Sequence, residues 1–128
     1  MIVIIKSEFN KEIVDGLLEG CKRALTEQEI KIISVPGAFE LPAAARKYAT
    51  SKKYQAVITL GCVIKGQTPH FQFISDAVTK SIINISVEYK KPIGNGIITC
   101  LNKKQAYLRV KKGSEASKAV KSVLSQKN

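Results

Sequence analysis

The sequence predicts an α/β protein, a three-layer α/β/α sandwich built on a four-stranded parallel sheet of flavodoxin-like topology. Apolar, β-branched runs alternate four times with segments of helical apolar spacing, which is the order β-α-β-α-β-α-β-α. One of these runs is almost continuously apolar, as expected of a strand buried on both faces. The chain has 128 residues, 45% of them hydrophobic, enough to form the core of the single domain that we expect over residues 1–128.

The predicted strands are residues 2–5, Ile30–Val35, Ala56–Ile64 and Ile93–Cys100. The second strand ends at Pro36 and Gly37, a pair typical of turns. The third strand is the almost continuously apolar run described above. Gly94 and Gly96 weaken the centre of the fourth, because glycine has no side chain with which to pack in a sheet.

Helical segments separate the strands. Asn10 suits the N-cap of the first helix, whose apolar residues recur at helical spacing: Ile13, Leu17, Cys21 and Leu25. Pro42 suits the first turn of a second helix, which runs towards Thr50, because the missing N–H would be unbonded there in any case. A long third helix runs from His70 towards Pro92. Two closing helices are predicted over residues 103–110 and 114–126.

This architecture predicts where a ligand binds. In open parallel sheets, ligands lie beyond the carboxyl ends of the strands. The segments there are residues 7–10, 36–40, 65–70 and 99–102, which contain two phenylalanines, carboxylates and the only histidine. We therefore expect the functional site at this edge of the sheet.

The charge of the chain points to an anionic partner. Lys and Arg number 21 against 10 Asp and Glu, a net charge of +11, most of it in the second half of the chain. Such an excess suits nucleic acid, an acidic membrane or a phosphorylated small molecule, although solvated helix faces would also account for it. No apolar run reaches the roughly 18 residues of a membrane helix. The first residues read as a strand and lack the pattern of a signal peptide, so we expect a cytoplasmic protein.

The cysteines indicate no special chemistry. Cys21, Cys62 and Cys100 are widely spaced, and a single histidine is available to join them. A zinc site needs about four ligands, usually paired in sequence. We therefore expect buried free thiols and no metal.

His70 is the first candidate for catalysis, because histidine is the side chain that exchanges protons near neutral pH. It precedes a predicted helix, whose positive end favours the neutral imidazole, so it suits a general acid or base. The alternative is a surface or capping histidine. Before it, Gly66, Gln67 and Thr68 lie where free helix N–H groups could hold a phosphate. A nucleotide-binding phosphate loop is excluded, because Gln67 stands where that motif requires lysine.

The other candidate residues would bind a substrate and take no part in the reaction itself. Phe9 and Phe39 either stack on a planar ring or belong to the core. Glu8 and Glu40 either accept hydrogen bonds from substrate hydroxyls or are helix N-terminal acids. Arg109 presents a planar fork that matches phosphate oxygens, within a lysine-rich run that would otherwise be a solvated face.

Taken in order, these segments resemble the lumazine synthase family over nearly the whole chain. The resemblance lies in Phe9-Asn10, Val35-Pro-Gly-Ala-Phe-Glu-Leu-Pro42, Leu60-Gly-Cys-Val-Ile-Lys-Gly-Gln-Thr-Pro-His-Phe71, Gly96-Ile-Ile-Thr99 and Gln105-Ala-Tyr-Leu-Arg109. It implies condensation of 5-amino-6-(D-ribitylamino)uracil with L-3,4-dihydroxy-2-butanone 4-phosphate. An imine forms, inorganic phosphate leaves and the ring closes with loss of water, without a metal or organic cofactor. Such an enzyme acts in riboflavin biosynthesis.

The resemblance also implies a role for each matching residue. His70 would transfer protons, Phe9 would stack on the pyrimidine, and Arg109 would clamp the phosphate of the butanone. The remaining substrate-binding residues that it implies are Ala38, Phe39 and Glu40 for the ring and ribityl chain, Cys62, Val63 and Ile64 for backbone contacts, Gln67 and Thr68 for phosphate, and Asn95 in the pocket wall.

A homo-oligomer is implied as well. In this family the site lies between neighbouring subunits of a pentamer, so that Arg109 would reach the His70 loop of a neighbour. This chain departs from many relatives by having Asn95 in place of phenylalanine, which predicts a more polar pocket wall. The segment after Arg109 is shortened, so that Lys112 stands as a second phosphate-side cation. The chain also begins at its first strand, and we therefore expect a free pentamer, not a capsid of twelve pentamers.

Two other functions compete with this one. A riboflavin synthase on the same fold would convert two lumazines and need no phosphate site, whereas Thr68 and Arg109 favour one. A basic module that binds nucleic acid would explain the charge, but no groove-reading element or stacking platform is present. We therefore expect small-molecule substrates and neither nucleic acid nor membrane as partners.

Overall fold

A computed structural model describes residues 1–67 and 69–126. Four parallel strands form one sheet in the order β2-β1-β3-β4, which is the flavodoxin-like order. The elements are β1 (Ile2–Ser7), α1 (Lys11–Arg23), β2 (Ile30–Val35), a short 3₁₀ helix (Ala38–Glu40), α2 (Leu41–Ala49), β3 (Ala56–Ile64), α3 (Phe71–Tyr89), β4 (Ile93–Cys100), α4 (Lys103–Leu108) and α5 (Lys112–Leu124). The predicted three-layer α/β/α class is confirmed.

Each face of the sheet has its own hydrophobic core. On one face, Leu17 of α1 and Val120 of α5 pack with Ile58 of β3. On the other, α2 and α3 pack against the alternate residues of the strands, Val57 among them. Because β3 is central, all nine of its residues are buried, which accounts for its continuous apolar run.

The predicted strands agree closely with the structure, whereas the closing helices differ. β2, β3 and β4 have the predicted bounds, and β1 extends two residues further, to Ser7. The fourth helix ends two residues early and the fifth begins two residues early, at Lys112. A tight turn joins them, in which the Lys112 N–H donates to the Arg109 carbonyl over 3.0 Å. The shortened segment therefore continues almost directly into α5.

The glycines of β4 do not interrupt the strand. A Cβ at Gly94 would lie 2.9 Å from the Ala116 carbonyl oxygen, and one at Gly96 would press on Leu60. The absence of side chains lets α5 approach the sheet closely. These glycines therefore indicate close packing of a helix against the strand.

The surface is strongly basic. Within residues 1–67 and 69–126, ion pairs are formed by Lys6, Lys11 and Lys22 with neighbouring carboxylates.

No helix within residues 1–67 and 69–126 has both the length and the apolar character to span a membrane.

Candidate active site

The loops after β1 and β2 are joined by backbone hydrogen bonds. The Glu8 N–H donates to the Val35 carbonyl over 2.8 Å, and the Phe9 N–H donates to the Pro36 carbonyl over 3.1 Å. The Phe9 side chain, which follows directly on β1, is 56% exposed. Phe9 is therefore not a core residue, and its ring is available to a ligand.

The turn after β2 is stabilised by Glu40. The Oε1 atom of Glu40 accepts the Gly37 N–H over 2.9 Å, which closes the short 3₁₀ helix at its start. The Phe39 side chain is 70% exposed. This turn thus fixes the backbone of residues 37–40 while it presents an aromatic ring to solvent.

At the end of β3, the backbone is what a ligand could contact, whereas the cysteine thiol is not suited to act as a nucleophile. Cys62, Val63 and Ile64 are buried, and the Cys62 side chain belongs to the core beside α1 and α5. Burial, together with the nearby Cys100, raises the pKa of the Cys62 thiol to about 12. The thiol therefore stays protonated and is a poor nucleophile. Cys21 and Cys100 are likewise buried and free, as predicted.

These three segments enclose a cavity of about 170 Å³ beyond the carboxyl ends of β1, β2 and β3, which we call the strand-end cavity. Its lining is mainly apolar and includes seven of the predicted substrate-binding residues. The lining residues are Phe9, Gly37, Ala38, Phe39, Cys62, Val63, Ile64, Gln67 and Ile74. Gly37, from the predicted edge segment 36–40, and Ile74, from the first turn of α3, are additional lining residues.

The loop from β3 to α3 leads from this cavity to His70. The Gln67 N–H donates to the Ile64 carbonyl over 3.2 Å, and Gly66 takes a positive φ of 91° in the turn, a conformation that favours glycine. His70 occupies the N-cap position of α3 and is exposed. Its carbonyl accepts the N–H of Ile74, a residue of the cavity wall, over 2.9 Å. Thr68, predicted to bind phosphate, lies outside the described residues.

Arg109 lies on a different surface, along the outer strand β4. Its Nη1 atom donates to the Thr99 carbonyl over 3.0 Å and lies 3.9 Å from the Cys100 sulfur. It lines a cavity of about 290 Å³ with Lys111, Lys112 and Glu115 among others. The short turn before α5 brings Lys112 beside Arg109, as the shortened sequence suggested.

Asn95 lines an adjacent cavity of about 300 Å³ that shares Lys112 and Glu115 with the first. We call these two adjoining cavities the β4 groove. The Oδ1 atom of Asn95 accepts the Ile97 N–H over 3.1 Å. The side chain therefore provides a hydrogen-bond partner for one backbone N–H of β4, which lies at the edge of the sheet. The predicted polar wall is thus on the β4 groove, away from Phe9.

The structure separates the predicted substrate-binding residues that line a cavity into two groups, whereas Glu40 and His70 line neither cavity. The strand-end cavity holds the aromatic and backbone contacts, whereas the β4 groove holds the cations, and the two share no lining residue. Two residues near these surfaces were missed as site residues by sequence reasoning. Glu115 lies one helical turn after Lys112, a spacing that could have indicated it. Asn10 was interpreted as a helix cap, and its actual contacts cross between loops distant in sequence.

A metal centre finds no support in the described residues. Within residues 1–67 and 69–126, no three side chains of His, Cys, Asp or Glu are grouped so that they could hold an ion. The two surfaces offer apolar stacking, backbone hydrogen bonds and fixed positive charge, and the exposed His70 at the start of α3 adds one imidazole. This set suits binding of a planar ring and an anion, with proton transfer.

Comparison with known proteins assigns this arrangement to a family. The family model described as 6,7-dimethyl-8-ribityllumazine synthase matches residues 1–128. The 6,7-dimethyl-8-ribityllumazine synthase of Campylobacter jejuni subsp. jejuni serotype O:23/36 (strain 81-176) is 40% identical, over 99% of this chain and 87% of the relative. That of Polaromonas sp. (strain JS666 / ATCC BAA-500) is 37% identical, over 91% and 80% respectively. That of Aliarcobacter butzleri (strain RM4018) is 39% identical, over 96% and 83%.

Proposed function

The chain belongs to the 6,7-dimethyl-8-ribityllumazine synthase family, and we propose that its active site combines the strand-end cavity of one subunit with the β4 groove of a neighbouring copy. The protein is a transferase of riboflavin biosynthesis. Its substrates are 5-amino-6-(D-ribitylamino)uracil and L-3,4-dihydroxy-2-butanone 4-phosphate, and its products are 6,7-dimethyl-8-ribityllumazine, inorganic phosphate and water. The observation that carries the two-subunit proposal is the separation of the aromatic and cationic residues onto two surfaces.

The strand-end cavity suits the pyrimidine substrate. Phe9 and Phe39 present exposed rings that can cover a planar ring. The backbone of Cys62, Val63 and Ile64 lies at the cavity wall, where it can recognise the carbonyl and N–H groups of the pyrimidine. Glu40 keeps one carboxylate oxygen, Oε2, available for the hydroxyl groups of the ribityl chain while Oε1 holds Gly37. At about 170 Å³, the cavity is smaller than the roughly 300–1,000 Å³ usual for ligand pockets, which favours completion by a second subunit.

The phosphate of the butanone substrate requires positive charge and N–H donors. Gln67 and Thr68 precede α3, whose first N–H groups favour an anion. In our proposal Arg109 and Lys112 of the neighbouring subunit approach this phosphate from the other side. The Arg109 fork donates through one nitrogen to Thr99, and its remaining N–H groups are then directed to phosphate oxygens. This fixed charge also stabilises the phosphate as it leaves.

His70 is assigned the proton transfers of imine formation, elimination and ring closure. His70 lies at the start of α3, next to the segment proposed to bind phosphate, and in our proposal this position would put its imidazole between the two substrates. Holding the substrates together removes an entropic barrier and supplies a large part of the acceleration. The proposed chemistry uses neither a metal nor an organic cofactor. We place the protein in the cytoplasm, where free thiols such as those of its three cysteines are usual.

The oligomer that would bring the two surfaces together is a homopentamer in our proposal. The outward side of α3 exposes large apolar side chains, with Phe73 76%, Ile83 57% and Val87 74% exposed. Apolar side chains grouped in this way commonly mark a protein–protein interface. In a closed ring of five copies, one surface of each copy packs against a different surface of the next, as the pairing of the strand-end cavity with the β4 groove requires.

The activity is tested with both substrates together and no added metal or cofactor. Formation of the lumazine, followed by its absorbance or fluorescence, is the expected result. Incubation with lumazine alone distinguishes a riboflavin synthase, which would consume it. A purified protein that does neither, and that instead binds RNA with an affinity falling steeply with salt, would support the nucleic-acid alternative.

Replacing Arg109 should weaken binding of the phosphorylated substrate. We expect Arg109→Ala to raise its KM by about tenfold to a hundredfold, because a charge-assisted hydrogen bond to phosphate contributes roughly 1.5–3 kcal/mol. The KM for the pyrimidine should change much less. Arg109→Lys is the matched control, since it keeps the charge but loses the fork, and its effect should be smaller. Equal KM values for the butanone phosphate in all three proteins would refute the proposed clamp.

Native mass spectrometry tests the assembly. Five copies of the 14.0 kDa chain give a species of about 70 kDa, which is the expected result. A monomer with full activity would contradict a site shared between subunits, and a particle of sixty copies would contradict the free pentamer. Replacing Phe73 and Val87 by serine should shift the mass towards smaller species and reduce activity in parallel.

A further inference from the structure

Asn10 has an unusual conformation beside the strand-end cavity. It occupies the N-cap position of α1 with left-handed backbone angles, φ 59° and ψ 45°, and its side chain makes no capping hydrogen bond. Asn10 therefore occupies the predicted N-cap position, but its side chain does not cap the helix. The amide instead points across to β3, where Nδ2 donates to the Cys62 carbonyl over 3.1 Å and to Gln67 Oε1 over 3.0 Å. A primary amide has two N–H donors, and these two contacts use both.

The hydrogen bond from Asn10 to the Cys62 carbonyl takes the place of backbone pairing with β1. β1 pairs with β3 only as far as the partners Lys6 and Leu60. Beyond that point β3 continues to Ile64 along β4 alone. The Asn10 amide donates a hydrogen bond to the Cys62 carbonyl, which lies beyond the last residue of β3 that pairs with β1. An unpaired carbonyl at this part-buried position would otherwise cost free energy.

The contact with Gln67 connects two loops that carry ligand-binding residues. Phe9 is the immediate neighbour of Asn10, and Gln67 lies in the turn from β3 to α3. Phe9, Cys62 and Gln67 all line the strand-end cavity. Through two hydrogen bonds, Asn10 therefore holds the aromatic wall, the strand backbone and the phosphate-side turn in one arrangement.

We infer that Asn10 is a positioning residue for lumazine formation, an inference that rests on the proposed function of the strand-end cavity. Its amide sets the placement of Phe9 against the pyrimidine and of Gln67 against the phosphate of the second substrate. Because Phe9 and Gln67 serve different substrates, loss of the amide affects both. A displacement of about 1 Å in a substrate-positioning group can cost on the order of a hundredfold in rate.

Two variants of Asn10 distinguish the effect of its side-chain amide from the effect of its backbone conformation. Asn10→Gly keeps the left-handed conformation, which glycine adopts readily, and removes the amide. Asn10→Asp keeps the size and tolerance of this conformation, but its carboxylate cannot donate to the Cys62 carbonyl. We expect kcat/KM to fall by about tenfold to a hundredfold in both, with KM raised for each substrate. Native mass should be unchanged, and the two variants should agree although their backbone preferences differ.

A double-mutant cycle tests whether Asn10 acts through Gln67. The loss caused by Asn10→Gly should be smaller in a Gln67→Ala background, because residues in contact are not additive. Equilibrium binding of the lumazine product, followed by its fluorescence, gives a readout independent of turnover and should weaken in the same variants. Wild-type kcat/KM and lumazine binding in Asn10→Gly would overturn the inference. An inactive wild-type protein that binds no lumazine would instead refute the proposed function. If Asn10→Gly does not assemble, Asn10→Asp supplies the same comparison.

Discussion

Substitution of His70 by alanine should lower kcat by about one to two orders of magnitude, with little change in either KM. General acid–base catalysis by one side chain typically contributes about 10²- to 10⁴-fold. We expect the lower part of this range because the proposed site would still hold the two substrates together. The measurement is steady-state formation of the lumazine by a protein whose native mass equals that of the wild type.

The N-cap position of His70 requires a matched control. Asparagine is among the preferred N-cap residues, so His70→Asn should preserve the start of α3 while it removes the imidazole. Both variants should lose kcat to a similar degree. Full activity in His70→Asn would show that the position serves the helix and not proton transfer. Together with the KM effect expected of Arg109→Ala, this comparison separates chemistry from phosphate binding.

Gly113→Ala is expected to destabilise the protein strongly. Gly113 lies in the first turn of α5, and a Cβ there would overlap the carbonyl oxygen of Leu17 in α1. The obstacle is helix backbone, so α1 and α5 would have to separate, and both carry residues of the same core. Overpacking commonly costs about 1–3 kcal/mol and occasionally more, and we expect a loss of about 3 kcal/mol. Thermal unfolding followed by circular dichroism should show the melting temperature falling by about 10 °C.

Gly16→Ala is the matched control in α1, at a position that faces the turn between α4 and α5. A Cβ at Gly16 would meet only the Val110 side chain, 3.3 Å away, and that side chain can move. Alanine is also favoured over glycine within a helix by about 1 kcal/mol. Gly16→Ala should therefore melt within a few degrees of the wild type, or above it, at the same protomer concentration. Equal melting temperatures for Gly113→Ala and the wild type would show that the helices adjust without cost.

The central strand β3 was predictable because its burial requires an apolar composition. A central parallel strand is covered by helices on both sides, so Ala56–Ile64 is apolar except for Thr59. Three of the four strands have the predicted bounds. The bounds of the closing helices were not predictable, because the residues between Arg109 and Ser114 are lysines, a valine and a glycine, none of which marks a boundary by itself. Gly113 also lies close to the Leu17 backbone of α1, a contact between distant segments that local sequence does not reveal.

The carboxyl edge of the sheet was predicted to bind a ligand from the general rule for open parallel sheets, and seven residues that the family resemblance implied line a cavity at this edge. Asn10 shows the limit of this reasoning. Its type and position match a helix cap, yet its amide bonds to Cys62 and Gln67, more than fifty residues away. Periodicity describes contacts within one element, so a hydrogen bond between two loops leaves no periodic signal.

The sequence by itself determined the fold class and the family, and it predicted the edge of the sheet at which a ligand binds, because apolar periodicity and local motifs specify which segments are buried and which residues follow each strand. Only the tertiary structure decided how the candidate residues are grouped. It placed Phe9 and Gln67 at one cavity, with Asn10 joining them, and Arg109 with Lys112 on another surface. The physical reason is that this grouping depends on strand order and on long-range packing, which bring together residues with no relation along the chain.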